Sequence, residues 1–177
     1  FRHNDNLPAY LFICVIVFLF IGLTMSSEEI IKDRRILHRE SFLNLSRFSY
    51  LNAKVGLLFL MSAVQAITFV LLGNLIFEIR GMTFPHFILL FTTACFANMM
   101  GLNISSGLNS VITIYILVPF LLIPQILFSG VLVKFDKLHK SLTHEIYVPV
   151  IGELMTSKWA YEALTVYQFK NNRYNRS

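Results

Sequence analysis

SSEEIIKDRRILHRESFLNLSRFSYLNAK, residues 26–54, is a polar interval between two long apolar runs. It holds six of the chain's fifteen Lys and Arg residues (Lys32, Arg34, Arg35, Arg39, Arg47 and Lys54) and four acids. Residues 7–25 just before it, LPAYLFICVIVFLFIGLTM, carry no charge. As a helix rising about 1.5 Å per residue, that run reaches across a hydrocarbon core of about 30 Å. The contrast predicts an all-α polytopic membrane bundle of about four spans plus interfacial helices. The charged interval then meets a partner on the cytoplasmic side.

Composition agrees with lipid as the solvent. Charged residues are 14% of the chain and hydrophobic residues 55%, with seventeen Phe, whereas a soluble domain is about a quarter charged. A soluble fold of this size has too little interior for so much apolar surface. The formal charge of +5 comes mainly from two polar intervals, which points to membrane flanks rather than nucleic acid. Cys14 and Cys95 both sit in apolar runs and read as small buried hydrophobes rather than a disulfide pair. No small-x-small cleavage pattern follows residues 7–23, so a span is expected there and not a signal peptide. Both ends read as cuts, and an interior fragment of something longer is the expectation.

Along the chain, Pro8 stands in the first turn of the first span, where a missing N–H costs nothing. Ser26 and Ser27, followed by Glu28 and Glu29, have the pattern of a helix cap with acids in the first turn. The helix they predict places Ile30, Arg34, Leu37 and Ser41 on one side and Lys32, Arg35 and Arg39 on another. Residues 28–49 are therefore assigned to cytoplasmic coupling or connecting helices, lying along headgroups or against a protein. Residues 51–76 form the second span. Lys54 near its start has the reach to snorkel to the interface, and Gln65 at mid-depth needs a helix or a cavity to face.

Residues 84–107 form the third span, with Thr83 as its expected cap and Pro85 in its first turn. Small and polar residues gather there, among them Ala94, Ala97, Asn98, Gly101 and Ser105. They suit close helix packing, with a polar-lined pathway as the alternative. Residues 111–133 form the fourth span, with Pro119 and Pro124 inside it as either a static bend or a conformational element. From residue 134 charges recur every few positions. Residues 146–154 and 159–169 are amphipathic and too short to span, so 134–177 is expected to be an external loop with short re-entrant helices. Seven Lys and Arg lie in that part, so the positive-inside rule places 26–54 in the cytoplasm only against competition.

Catalytic signatures are missing from the sequence. It has neither a phosphate-binding loop nor a dinucleotide fingerprint. His3, His38, His86, His139 and His144 have no liganding spacing, and a metal site is not expected. The sequons at Asn44 and Asn103 fall in the cytoplasmic interval and next to the membrane. No catalytic residue is assigned.

Three further stretches carry a family resemblance. Arg39-Glu40 within ILHRESFLNLSRFSYLNAK, then FSGVLVKFDKL at 128–138, then KWAYEALTVYQF at 158–169, occur in this order between spans of this spacing. The chain resembles the transmembrane half of G-subfamily (White-type) ABC transporters, the pigment-precursor and sterol exporters, and related bacterial type-2 ABC permeases. The resemblance covers nearly all of 1–177, as a partial permease domain lacking the family's first and sixth spans and its ATPase domain. It implies that residues 30–40 include the coupling helix, with Ile30, Arg34, Leu37, Arg39 and Glu40 at the interface with an ABC ATPase domain. It further implies that Phe18, Leu121 and Phe128 lie near a substrate path between the first and fourth spans seen here, to which Gln65 and Asn98 are added as candidates for pathway or packing. Partners implied are that ATPase domain, a second half-transporter, membrane lipid and a lipophilic substrate, with no nucleic acid. ATP and magnesium belong to the ATPase domain of the parent, and this fragment needs no cofactor. External-loop cysteines are absent, which favours a bacterial inner (plasma) membrane.

The function implied is the membrane part of an ATP-driven exporter, forming the substrate pathway and receiving the ATPase signal. A non-transporting scaffold or assembly subunit that docks a soluble partner through 26–54 is the alternative. An intramembrane enzyme would need paired acids or histidines within a span, and the spans offer only His86, at an end.

Overall fold

The computed structural model describes residues 7–40, 46–76, 82–129, 153 and 155–170. Six helices account for nearly all of them: α1 (Leu7–Ser27), α2 (Glu29–Glu40), α3 (Arg47–Ile76), α4 (Thr83–Gly107), α5 (Val111–Leu127) and α6 (Thr156–Lys170). Residues 41–45, 130–133, 134–152 and the chain ends were assigned from the sequence to a connector, the end of the fourth span, an external loop and cut ends. They lie outside the described residues, as do His3, His139 and His144.

The fold is built on α1 and α4, which run in the same direction. Val15, Phe18 and Leu19 of α1 are essentially sealed, and so is Ala97 of α4. Small residues bring the two backbones together. A Cβ on Gly22 would stand 2.7 Å from the Ala97 Cβ and 3.0 Å from the Ala94 carbonyl oxygen. One on Gly101 would collide with the Ser26 side chain and stand 3.0 Å from the Leu23 carbonyl oxygen. Without a hydrophobic drive between helices in lipid, such close approach supplies the dispersion contacts that hold a pair. Of the two readings of the small residues in α4, these positions serve packing.

Antiparallel neighbours flank this pair. α3 lies on α4, where Phe59 meets Phe91 edge-on at 6.5 Å and the Asn98 amide donates to Ser62 Oγ at 2.7 Å. It reaches α1 through Phe69, edge-on to Phe18 at 5.2 Å. α5 turns Ile114, Val118 and Leu122 inward at helical spacing and leaves Ile112, Ile116 and Phe120 more than two-thirds exposed. An apolar outer face is what a helix in contact with lipid presents. At the far end from α2, α6 crosses α1 with Tyr161 edge-on to Phe12 at 5.8 Å.

Four sequence expectations change. Ser26 and Ser27 do not cap α2; they close α1, fully buried, with Ser26 Oγ donating to the Gly22 carbonyl at 2.7 Å and Ser27 Oγ to that of Leu23. A hydroxyl satisfied by its own preceding turn can be buried where no other partner exists. Thr83 is inside α4 rather than its cap, which is Met82, and its Oγ1 accepts from the Asn74 amide at 2.8 Å, tying α3 to α4. α3 starts at Arg47 and not near residue 51, because Ser46 Oγ accepts the Ser49 N–H at 3.4 Å and opens the helix earlier.

The fourth change is the helix expected over 111–133, which stops at Leu127. Ser129 Oγ donates to the Ile126 carbonyl at 2.7 Å, and Ser157 Oγ donates to the Gln125 carbonyl at 2.5 Å. The Gln125 amide oxygen in turn accepts the Ser157 N–H at 3.1 Å. The C-terminus of α5 and the N-terminus of α6 thus satisfy each other's unpaired groups, and the helix has no need to continue. With 17 residues, α5 is about 25 Å long. Among the described residues, three helices are long and apolar enough to cross a membrane: α1 together with its continuation α2, then α3, then α4. The protein is a multi-pass membrane bundle.

Candidate functional site: a polar joint at one end of the bundle

The end of α1, all of α2, the start of α3, the end of α4 and the start of α5 meet at one end of the bundle. α2 lies beyond the apolar part of α1, and a single turn at Glu28 separates the two. Glu29 in its first turn and His38 and Arg39 in its last complement the helix dipole. Ile31 packs against the apolar core, and the rest of the hold on α2 described below is polar.

On one side α2 meets α4. The backbone N–H groups of Ile30 and Ile31 belong to its unpaired first turn, and both donate to Ser105 Oγ, at 3.0 and 3.2 Å. Ser105 is fully buried. One turn later the Arg34 guanidinium donates to the Ser106 carbonyl at 3.3 Å, the Leu108 carbonyl at 3.0 Å and the Asn109 side-chain oxygen. Ser106 is in the last turn of α4, where carbonyls have no partner within the helix and the dipole favours a cation. The two helix ends cap one another with side chains.

On the other side α2 meets α3, again by charge. Lys54 Nζ lies 2.6 Å from Glu29 Oε2 and 2.7 Å from Asp33 Oδ2, and the Tyr50 hydroxyl donates to Asp33 at 2.9 Å. The order of these contacts, 54 with 29 and 50 with 33, makes α2 and the first turns of α3 an antiparallel hairpin. The hydrogen bond from Lys54, helped by that from Tyr50, holds the Asp33 carboxyl below its usual range against the opposing effect of burial. Lys54 was expected to snorkel; two acids one turn apart on the facing helix claim its ammonium group instead. Glu28 pairs along its own chain with Lys32 at 2.5 Å.

Of the coupling residues expected from the sequence, Ile30 and Arg34 come together against the end of α4. Leu37 is half-buried further along, Arg39 is exposed, and Glu40 closes α2. Lys32 and Arg35 are exposed with Arg39, so the cations away from α4 look outward. The pathway candidates do not gather. Phe18 and Asn98 are buried between α1, α3 and α4, Gln65 is half-buried on α3, and Leu121 and Phe128 are half-buried on α5 and just past it. A separate apolar cleft of about 160 Å³ opens between α1 and α5, lined by Phe20, Thr24, Ile114, Tyr115, Val118 and Pro119 with Glu28 at its edge. None of the five lines it.

Ser105, Asn109, Tyr50 and the pairing of Lys54 were not picked out from the sequence as site residues. Only the Glu29/Asp33 spacing of four, set opposite Tyr50 and Lys54 at the same spacing, foreshadowed one of these contacts. Among the described residues no group of His, Cys, Asp and Glu gathers to hold a metal ion.

Comparison with curated proteins and with solved structures finds no match. The family model of the ABC-2 type transporter matches residues 2–169. That match takes in all three membrane-length helices, the polar joint and nearly all of α6, and the chain belongs to the ABC-2 type transporter family of membrane domains.

Proposed function

We propose that the chain is the membrane-spanning part of an ATP-driven exporter of lipophilic or amphipathic compounds, with α2 receiving the stroke of an ATPase domain. In this reading α5 is a fourth, short span, and the partners are an ABC ATPase domain and a second half-transporter of the G-subfamily kind. The setting is a bacterial inner membrane, and ATP and magnesium act on the ATPase domain. The observation that carries the reading is the position of α2: a charged helix beyond the apolar span, bonded to α3 on one side and to α4 on the other, with Arg39 and other cations facing out. A helix so held is in a position to pass a displacement on to the elements it is bonded to. The apolar cleft between α1 and α5 supports the same reading, as a place for the greasy part of a substrate.

A substrate-independent test uses the full-length parent in native membranes, with single cysteines at Arg39 and Ser46. The expected result is a cross-link from residue 39 to the ATPase domain that changes in yield with ATP, while residue 46 is shielded from reagents added outside intact cells. Labelling of residue 46 from outside, or no cross-link under any nucleotide condition, would overturn the reading.

A further inference from the structure

The two attachments of α2 differ in kind. Towards α3 it is held by the end of one lysine chain and one phenol, both on long side chains that can follow a moving carboxylate. Towards α4 it is held at the backbone. Ser105 Oγ accepts two main-chain N–H groups of α2, and Arg34 donates to two main-chain carbonyls and one side chain at the end of α4 and just past it. Guanidinium is planar and always charged, and its rigid fork of donors fixes several acceptors in one geometry, which a lysine ammonium on a flexible stem does not reproduce.

Residues 108–110, which Arg34 grips, make up the whole connection between α4 and α5. Leu108 and Ser110 are extended, with ψ of 151° and 129°, and Val111 already opens α5. Three residues, two of them extended, leave little slack. α1 is set apart from this connection by the turn at Glu28, bridged by the Lys32 N–H to the Glu28 carbonyl at 3.0 Å.

We infer that Arg34, seated with Ser105, is the positioning residue that hands a displacement of α2 to residues 108–110 and so to α5, the helix that walls the cleft opposite α1. This rests on the proposed exporter reading and adds to it the route of the stroke. Lys54 keeps α2 alongside α3 but does not transmit. Arg34 is thus not an outward contact for the ATPase domain; it acts through the α4–α5 connection.

The test places an environment-sensitive fluorophore on a cysteine at Ile112, which is 74% exposed near the start of α5, in the otherwise cysteine-free full-length parent in nanodiscs. The readout is the emission change on adding a non-hydrolysable ATP analogue, with the residue 39 cross-link to the ATPase domain measured in parallel. The expected result is a clear change in the unmodified joint, a loss of at least about five-fold in Arg34→Ala and in Ser105→Ala, and partial recovery in Arg34→Lys. Lys54→Ala keeps the change, and the cross-link keeps its nucleotide dependence in every variant. Ser105→Ala covers the case in which Arg34→Ala fails to assemble. A full emission change in both Arg34→Ala and Ser105→Ala would overturn the inference, as would its loss in Lys54→Ala, while the nucleotide-dependent cross-link left the exporter reading standing. A cross-link insensitive to nucleotide would instead sink that reading and the inference with it.

Discussion

The α1–α4 seam and the α2 joint hold this molecule together by opposite means. In the seam, Gly22 and Gly101 leave no room for a side chain, and the two helices meet through backbone, Ala97 and a serine turned back on its own helix. Shape does the work there, and charges are absent. In the joint, Arg34, Lys54, Glu29 and Asp33 reach across gaps on long side chains, with part-exposed groups and a few well-placed main-chain acceptors. A seam built on shape has one good arrangement and tolerates no displacement. A joint built on charges can shift and re-form, at a strength that water and salt control. The difference teaches which part can serve as a frame and which as a moving contact.

The sharpest way to break the comparison is to put volume into the seam. Gly101→Leu forces the side chain into Ser26 and the Leu23 carbonyl, and the expected loss is about 3 kcal/mol, the upper end of overpacking costs. Thermal unfolding of the protein in detergent should show it as a large drop in Tm or as failure to assemble. An unchanged Tm would mean that α1 and α4 are not closely packed. Asn98→Ala tests a polar contact inside the frame. Losing the 2.7 Å bond to Ser62 should cost about 0.6 kcal/mol, the average for hydrogen bonds between membrane helices, and at most about 1.7.

Lys54→Ala is expected to cost about 1 kcal/mol or less, since the pair is part-exposed. Raising the salt from low to molar should shrink the difference between wild type and variant, whereas the Gly101→Leu difference should stay the same. Equal salt sensitivity in the two would erase the distinction drawn between seam and joint. The smallest effect concerns acid. Because Lys54 holds the folded Asp33 carboxyl low, its contribution is complete above the ordinary carboxylate range and is lost as pH falls through the lowered value. Stability should therefore not change on this account between pH 7 and 5 and should begin to decline below about 4, less steeply in Lys54→Ala. The check is a series of melts across that range on both proteins.

How far each region could be read in advance follows from the same contrast. The membrane-length helices over 7–25, 51–76 and 84–107 were legible because an apolar run of that length with no charge, or with one only near its start, has few other uses, and the helices there extend each by only a few residues. The small residues Ala97 and Gly101 marked a close-packed face for the same local reason. The end of the fourth run was not legible. Residues 111–133 are apolar apart from a few positions, and what stops α5 at Leu127 is Ser157 meeting Gln125, 32 residues along the chain. Ser26 and Ser27 were misread as caps because their identity suits a cap equally well; the choice was made by burial against α4, which favoured bonding back along α1. The resemblance carried by Arg39-Glu40, 128–138 and 158–169 pointed to ABC permeases, and the match over 2–169 establishes the ABC-2 type transporter family.

By itself, then, the sequence determined the membrane-length apolar runs, the lipid setting, the family and the charged character of α2, since these depend on run length, hydropathy and residue order. Tertiary structure alone decided what α2 holds. Ser105 and Asn109 reach Ile30 and Arg34 from 75 residues away, and Lys54 finds Glu29 from 25. Such pairings depend on where the ends of neighbouring helices fall relative to one another, which is set by how closely α1 and α4 pack and not by any local pattern of residues.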